Sequence, residues 1–193
     1  MLLMSKTTAA GNSIRMIREH LDNIPNVELP PEFRIRTMKK EESCFWNRIV
    51  LGSEKWLTLS ENLFFEEFSE YLPLVSKRCF FAVNSENNPI GTASAWFCTI
   101  KNVEYGLIHW VAVLPKYQGI GIGKGLMCFA LKQMQRWHNK AILNTHSKRL
   151  AAIQLYLNLG FLPVANSKES RQHWINIKND LNHLNRNIEE RAR

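Results

Sequence analysis

The sequence lacks the features that mark several whole classes of protein. No apolar run approaches the roughly 18 residues that a membrane-spanning helix needs, so we expect no membrane association. The apolar start at residues 1–4 is too short for the core of a signal peptide, and polar residues follow at once. The four cysteines form no C-x-x-C pair and the histidines show no metal-ligand spacing. We therefore predict free thiols, a cytoplasmic location and no metal.

Acidic residues are scarce in one part of the chain. Residues 101–165 contain eight lysines and arginines but a single acid, Glu104, in a chain whose net charge is +8. Such a local excess of positive charge indicates an anionic partner. A nucleic acid is one candidate, but there is no basic run and no recognised nucleic-acid-binding module. An anionic small molecule bound by this segment explains the charge more locally.

Glycine, by contrast, is concentrated at one turn. Of the nine glycines, four alternate with other residues between Gly119 and Gly125. The apolar residues 108–113 predict a buried strand that ends before Pro115, and helical spacing of apolar residues follows over 121–138. The first N–H groups of a helix have no intrahelical partners, and glycines let the main chain approach an anion closely. This turn therefore predicts a phosphate site built of main chain.

Two common nucleotide-binding motifs do not fit this turn. The dinucleotide fingerprint requires an acidic residue about 20 positions on, and the strand predicted at 141–145 ends without one. The P-loop requires Gly-Lys-Ser/Thr, whereas Gly125 follows Lys124 here.

Two other motifs carry a family resemblance. The run Gln118-Gly-Ile-Gly-Ile-Gly123, behind Val111-Ala-Val-x-Pro115, resembles the acyl-CoA pyrophosphate loop of the GNAT (Gcn5-related) N-acetyltransferases, whose pattern is Gln/Arg-x-x-Gly-x-Gly/Ala after a strand. About 30 residues further on, Ala152 to Phe161 resembles that family's second signature, Ala-x-x-Leu-Tyr-x-x-x-Gly-Phe.

The resemblance implies both a fold and an activity. The implied fold is α/β (α+β), with a mixed, mostly antiparallel, splayed sheet flanked by helices. The implied activity is direct transfer of acetyl from acetyl-CoA to a primary amine of a small molecule or peptide. Dimers are common in the family, so a homodimer is one of the assemblies that the resemblance allows. Two alternatives remain: an acyl-CoA-binding sensor of this fold without turnover, and a basic protein associated with nucleic acid.

The resemblance also implies site residues. Tyr156 is expected to act as general acid to the CoA thiolate. Three candidates for the general base remain: Glu104, a water chain and His109. Regular alternation along the strand puts the side chain of His109 on the same face as those of Val111 and Val113. Arg149 stands where many relatives have an asparagine that touches the coenzyme, so either a phosphate contact or exposure is expected. The residues expected to bind the coenzyme are Val111, Ala112, Val113, Gln118, Gly119, Ile120, Gly121, Ile122, Gly123, Lys124 and Tyr156.

The predicted organisation is one domain with additions at both ends. We expect an N-terminal helical extension over 1–30, with a helix at 12–23, then an acetyltransferase domain over 31–178 and a helical tail over 179–193. Within the domain the predicted order is β-α-α-β-β-β-α-β-α-β, with a last strand at 173–177.

Overall fold

One sheet runs through the whole molecule, and the computed structural model describes it within residues 12–191, with side chains described for 12–185. The strands are β1 (Ser13–Arg18), β2 (Arg34–Thr37), β3 (Cys79–Val83), β4 (Pro89–Ile100), β5 (Val103–Val113), β6 (Ala141–His146) and β7 (Leu162–Pro163). Their order across the sheet is β2-β3-β4-β5-β6-β1-β7. All neighbours are antiparallel except β5 and β6, which are parallel.

Helices cover both faces of the sheet. They are α1 (Ser43–Ser53), α2 (Leu63–Phe68), α3 (Leu72–Arg78), α4 (Ile122–Met134), α5 (Leu150–Asn158) and α6 (Lys168–Arg191). The first three pack on one face, which we call the α1 face, and the last three pack on the other, the α4 face. In the described residues, no helix is both long and apolar enough to cross a membrane.

The packing explains why the central strands consist of apolar residues. All five residues of β3 are buried, because helices cover that strand on both sides. At Gly106 of β5 a Cβ atom would lie 2.2 Å from the Sδ atom of Met134, so the glycine leaves room for this side chain of α4 beside the strand. The predicted fold class is confirmed: the sheet is mixed, mostly antiparallel and open.

Two predicted elements are wrong. The helix expected at 12–23 is the strand β1, which pairs with β6 and β7 inside the sheet, so these residues are not a helical extension. Ile14, Ile17 and Leu21 fit helical spacing, but the buried residues of β1 alternate, as in a strand. The predicted extension also includes residues 1–11, which lie outside the described residues.

The second error is at the C-terminal end. Residues 173–177, expected to form a strand, belong to α6, which begins at Lys168 and so crosses the predicted boundary at 178. Ile177 and Leu181 are buried against the α4 face, and Trp174 is partly buried with them. These three residues follow helical spacing, and the strand prediction rested on a shorter window that also alternates.

The sheet separates between β5 and β6. The two strands are paired only at Gly106 with Ala141 and at Leu107 with Ile142. Beyond this point residues 108–113 of β5 and 143–146 of β6 diverge. The splayed sheet implied by the resemblance is confirmed, and the divergence creates a cleft through the sheet.

Because β1 is an inner strand, its core residues should contribute to the stability of the whole domain. Met16 is fully buried, so we expect Met16→Ala to lower the free energy of unfolding by about 2–5 kcal/mol. Urea denaturation measures this, with the exposed His20→Ala as the control, expected to change stability by no more than about 0.5 kcal/mol. Equal stability of the two variants would contradict a structural role for β1.

Candidate functional site

A cleft of 280 Å³ occupies the space between the diverging strands β5 and β6. Its lining comes from β5, β6, β1, the end of α1 and the start of α5. It reaches both faces of the sheet. Val111, Leu143 and Tyr156 line it on the α4 face, whereas Val50 lines it on the α1 face. Two ligands could therefore enter from opposite sides and meet in the middle.

A β-bulge in β5 changes which of its side chains point to the α1 face of the sheet and which point to the α4 face. The register between β4 and β5 shifts by one residue, so that Thr92 faces Ala112 while Ser94 faces His109. At this point Trp110 has a φ angle of 47°, a left-handed conformation that is strained for a bulky residue. Strain of this kind is typical of functional sites.

The bulge makes one expectation wrong. His109 and Trp110 both turn to the α1 face, where the His109 ring lies 6.0 Å from that of Phe68. Val111 and Val113 pack on the α4 face instead. His109 therefore does not share a face with these valines, because the extra residue breaks the alternation on which that expectation rested.

The glycine turn lies where β5 ends. Gly119 and Gly121 have φ angles of 83° and 90°, and α4 begins directly after Gly121. A Cβ atom added at either glycine would meet nothing within 4 Å, so the backbone conformation, and not crowding, requires glycine here. The N–H groups of residues 119–124 have no acceptor among the described residues. Six free amides at a helix start fit a diphosphate.

Other residues of the turn fix its position. The side-chain amide of Gln118 donates to the carbonyl of Val113 at 2.8 Å, which ties the turn to the end of β5. Ile122 is buried and anchors the start of α4 in the core. Ile120 is 47% exposed, and Lys124 is exposed beside the free amides, where its charge adds to theirs.

Tyr156 reaches the cleft from α5. It is 7% exposed, and burial raises the pKa of its hydroxyl. The phenol therefore keeps its proton at neutral pH and can donate it. Gly160, two residues after α5 ends, has a left-handed conformation, which is common just after the end of a helix.

His109 is part of a buried pair that the sequence did not indicate. Its Nε2 atom lies 2.8 Å from Oε2 of Glu67 on α2, and both side chains are largely buried. A carboxylate only accepts hydrogen bonds, so Nε2 holds a proton, and Nδ1 of the neutral ring is then free to accept one. Glu67 lies 42 positions before His109, and no local pattern could have joined the two.

Glu104, the other candidate base, lies elsewhere. It pairs with Thr99 at the start of β5, its side chain is 60% exposed, and its Oε1 atom lies 3.5 Å from Nδ1 of His138. Five residues of strand, roughly 16 Å, separate it from His109. It does not line the cleft. The structure brings His109 and Tyr156 together and leaves Glu104 apart.

An ion pair bridges the two sides of the cleft. Arg149, before α5, donates to Glu54 at the end of α1. The other carboxylate oxygen of Glu54 accepts the N–H groups of residues 55–57 and holds this loop in place. Arg149 is thus neither fully exposed nor free, and its partner was not identified from the sequence.

Two polar groups next to the cleft have no partner in the described residues. The hydroxyl of Thr145 and the indole N–H of Trp110 are buried without hydrogen bonds. Unpaired buried groups of this kind are uncommon and costly. Both residues line the cleft. The cleft therefore retains polar groups that cost stability in the absence of a partner. Within the described side chains there is no group of three potential metal ligands.

Comparisons with known proteins agree with this architecture. A sequence model of the acetyltransferase (GNAT) family matches residues 35–161. Over 78 residues the chain is 37% identical to N-alpha-acetyltransferase 30 of Saccharomyces cerevisiae, an alignment that covers 39% of this chain and 44% of the yeast protein. The chain thus spans less than half the length of that relative.

Solved structures show the same fold. A chain of the NatC complex, solved bound to Gag peptide and CoA, superposes with a TM-score of 0.57 and 27% identity, covering 68% of this chain and 85% of that one. A GNAT-family acetyltransferase from Colwellia psychrerythraea gives a TM-score of 0.63 at 16% identity, over 79% of this chain and 53% of that one. Since the family model matches more than half of the sequence and the fold superposes on these structures, the chain belongs to the GNAT acetyltransferase family.

Proposed function

We propose that this protein transfers acetyl from acetyl-CoA to a primary amine, and that the amine is the α-amino group of a polypeptide. The observation that carries the proposal is the cleft, which is open on both faces of the sheet and has free amides at one end and a buried tyrosine and histidine inside. The polypeptide acceptor is supported by the relatives, an N-alpha-acetyltransferase and a complex solved with peptide and CoA.

The turn at residues 119–124 is proposed to hold the diphosphate of the coenzyme, with Lys124 adding a full charge. Bound acetyl-CoA supplies an activated acetyl group as a thioester, whose leaving group is a thiol. The edge of β5 from Ile108 to Val113 has no strand partner on the β6 side. Its main chain, including that of Ala112, is therefore available to hydrogen-bond the coenzyme's extended arm.

Two protons must move in this reaction. We assign the proton that goes to the departing thiolate to the hydroxyl of Tyr156, because burial keeps it protonated. We assign the proton that leaves the attacking amine to Nδ1 of His109, either directly or through a water molecule, with Glu67 holding the ring. Glu104 takes no part in this scheme.

We also propose a cytoplasmic location. All four cysteines lie within the described residues and are free, and burial raises the pKa of Cys79 to about 12 and that of Cys98 to about 11. Unpaired cysteines fit a reducing compartment.

A direct test of the activity measures thiol release from acetyl-CoA. We expect release with a short peptide that has a free α-amine and none with the same peptide blocked at its N-terminus. Calorimetric binding of CoA without release for any amine would instead support the non-catalytic sensor. No binding at millimolar CoA would overturn the proposal.

Substitution in the glycine turn should weaken coenzyme binding. Gly121→Ala forces a side chain into a left-handed conformation and places a methyl group beside the free amides. We expect the Kd for CoA, measured by calorimetry, to rise at least about tenfold, which corresponds to about 1.4 kcal/mol. Gly52→Ala, in α1, is the matched control and should leave this Kd unchanged. Equal effects of the two changes would exclude the turn as the binding site.

Loss of the proposed acid should affect the chemical step alone. Tyr156→Phe keeps the ring and its packing against Phe161, so we expect kcat to fall about 10²–10⁴-fold while the Kd for CoA stays within a few-fold of wild type. Steady-state kinetics and calorimetry measure the two quantities. Unchanged turnover would remove Tyr156 from the mechanism.

Substitution of the proposed base, His109, should reduce kcat/KM more than substitution of its carboxylate partner, Glu67. His109→Ala should lower kcat/KM for the amine by about 10²–10⁴-fold, because the group that accepts the proton of the amine is lost. Glu67→Gln retains a hydrogen-bonding side chain but no longer fixes the proton on Nε2, so a smaller loss is expected. Glu104→Gln is the control and should be neutral. A loss on Glu104→Gln as large as on His109→Ala would reverse the assignment.

A further inference from the structure

Strand β1 brings a cation into the cleft from outside the part of the chain that the family model matches. The matched region begins at residue 35, whereas Ser13 and Arg15 of β1 line the same cleft as His109. In β1 the side chains of Ile14 and Met16 point to the α4 face. Arg15 alternates with them and therefore lies on the α1 face, together with His109.

The guanidinium of Arg15 is held with its outer edge free. Its Nε atom donates to Oδ1 of Asn144 on β6 at 3.0 Å. No hydrogen bond within the described chain uses its two terminal nitrogens. These two nitrogens form the edge that binds a carboxylate in a bidentate way. Asn144 thus orients the arginine without neutralising it.

The other arginine that lines the cleft is already paired, because Arg149 donates to Glu54. Glu67 keeps its negative charge when the His109 ring is neutral, but it does not line the cleft. Arg15 has no acidic partner within 4 Å among the described residues. The eleven residues before Asn12 contain no Asp or Glu either. Of the arginines that line the cleft, Arg15 is consequently the one without an ion-pair partner in these parts of the chain.

We propose that Arg15 is a specificity-determining residue that binds a carboxylate of the acceptor, and that the preferred acceptors are polypeptides with Asp or Glu as their second residue. This inference rests on the proposed function, since it concerns the substrate of the same site. The acceptor enters on the α1 face, because the glycine turn that receives the coenzyme leads into α4 on the other face.

The spacing of the strands indicates how far the carboxylate of the acceptor lies from its α-amino group. Neighbouring strands lie about 4.8 Å apart, so β1, two strands from β5, has its main chain at least ~10 Å from that of His109. An acceptor that places its amine at His109 and a carboxylate at Arg15 therefore has to span the cleft. A side chain one residue along, about 3.8 Å further at its Cα, extends toward Arg15.

A fixed positive charge also acts against unsuitable acceptors. It repels a lysine or arginine at the second position, and it disfavours the protonated form of the acceptor amine, which cannot attack. The kcat/KM values of an acidic and a basic acceptor should consequently differ from each other by more than either differs from that of a neutral acceptor of the same shape.

The test compares three peptides that differ only at the second residue, which is Asp, Asn or Lys. With wild-type protein we expect kcat/KM for Asp to exceed that for Asn at least about tenfold, with Lys lowest. In Arg15→Gln the Asp and Asn peptides should come within about twofold of each other. Arg15→Lys, which retains the charge, should restore part of the preference. Raised salt should reduce the preference in wild type.

A matched control is available at the far edge of the sheet. Arg34 of β2 also hydrogen-bonds an asparagine, Asn87, at 2.9 Å, and is exposed away from the cleft. Arg34→Gln should keep the wild-type preference for Asp. Equal rates for Asp and Asn in wild type, or a preference that survives in Arg15→Gln, would overturn the inference.

Failure of the proposed function would give a different result. In that case wild type releases no thiol with any of the three peptides. The inference is then decided by fluorescence-anisotropy titration of the same peptides into protein saturated with CoA. Tighter binding of the Asp peptide that Arg15→Gln abolishes supports a carboxylate site without turnover, and equal binding of Asp and Asn peptides excludes it.

Discussion

The separation of β5 from β6 is the constraint on which the site depends. Two parallel strands that remain paired along their length would satisfy each other's main chain and leave no space. Here the pairing stops after Leu107, and one edge of β5 is left free in the middle of a sheet. That edge would be costly if it were buried without a ligand, because main-chain polar groups require partners. A cleft that admits water and an extended ligand resolves the conflict, and it places the site at the centre of the fold.

The bulge at Trp110 adds a second local irregularity to the same strand. Leu107 and His109 follow regular alternation onto the α1 face, where Glu67 lies within hydrogen-bonding distance of His109. The extra residue keeps Trp110 on this face as well and moves Val111 and Val113 to the α4 face. The separation of the strands therefore provides the space, and the bulge lets one strand present His109 to one face and the two valines to the other. Both irregularities occur within the seven residues that end β5, so one strand carries most of the proposed chemistry.

Strand β1 closes the sheet on the other side of the cleft and contributes to its chemistry. It contacts β6 along six residues and pairs with β7 at two. Arg18, at its end, donates to the carbonyl of Leu159 at the end of α5, so the strand also helps to position the helix that carries Tyr156. The same strand presents Arg15 to the cleft. Structural support and the proposed substrate recognition are thus combined in a segment that lies before the matched family region.

The sequence alone determined the glycine turn and the helix that follows it, and it was sufficient to predict a role for Tyr156, because these depend on residues close together in the chain. Glycines at 119 and 121 specify a left-handed turn by their own conformational freedom, and the helical periodicity after them is local as well. Only the tertiary structure decided that residues 13–18 form an inner strand, since helical and strand periodicity both fit them and the partner strands that select between the two lie more than 120 residues away. Only the tertiary structure, too, joined His109 to Glu67 and brought Arg15 to the cleft, because a contact between a strand and a helix 42 positions apart and a pairing of distant strands leave no pattern in a single stretch of sequence.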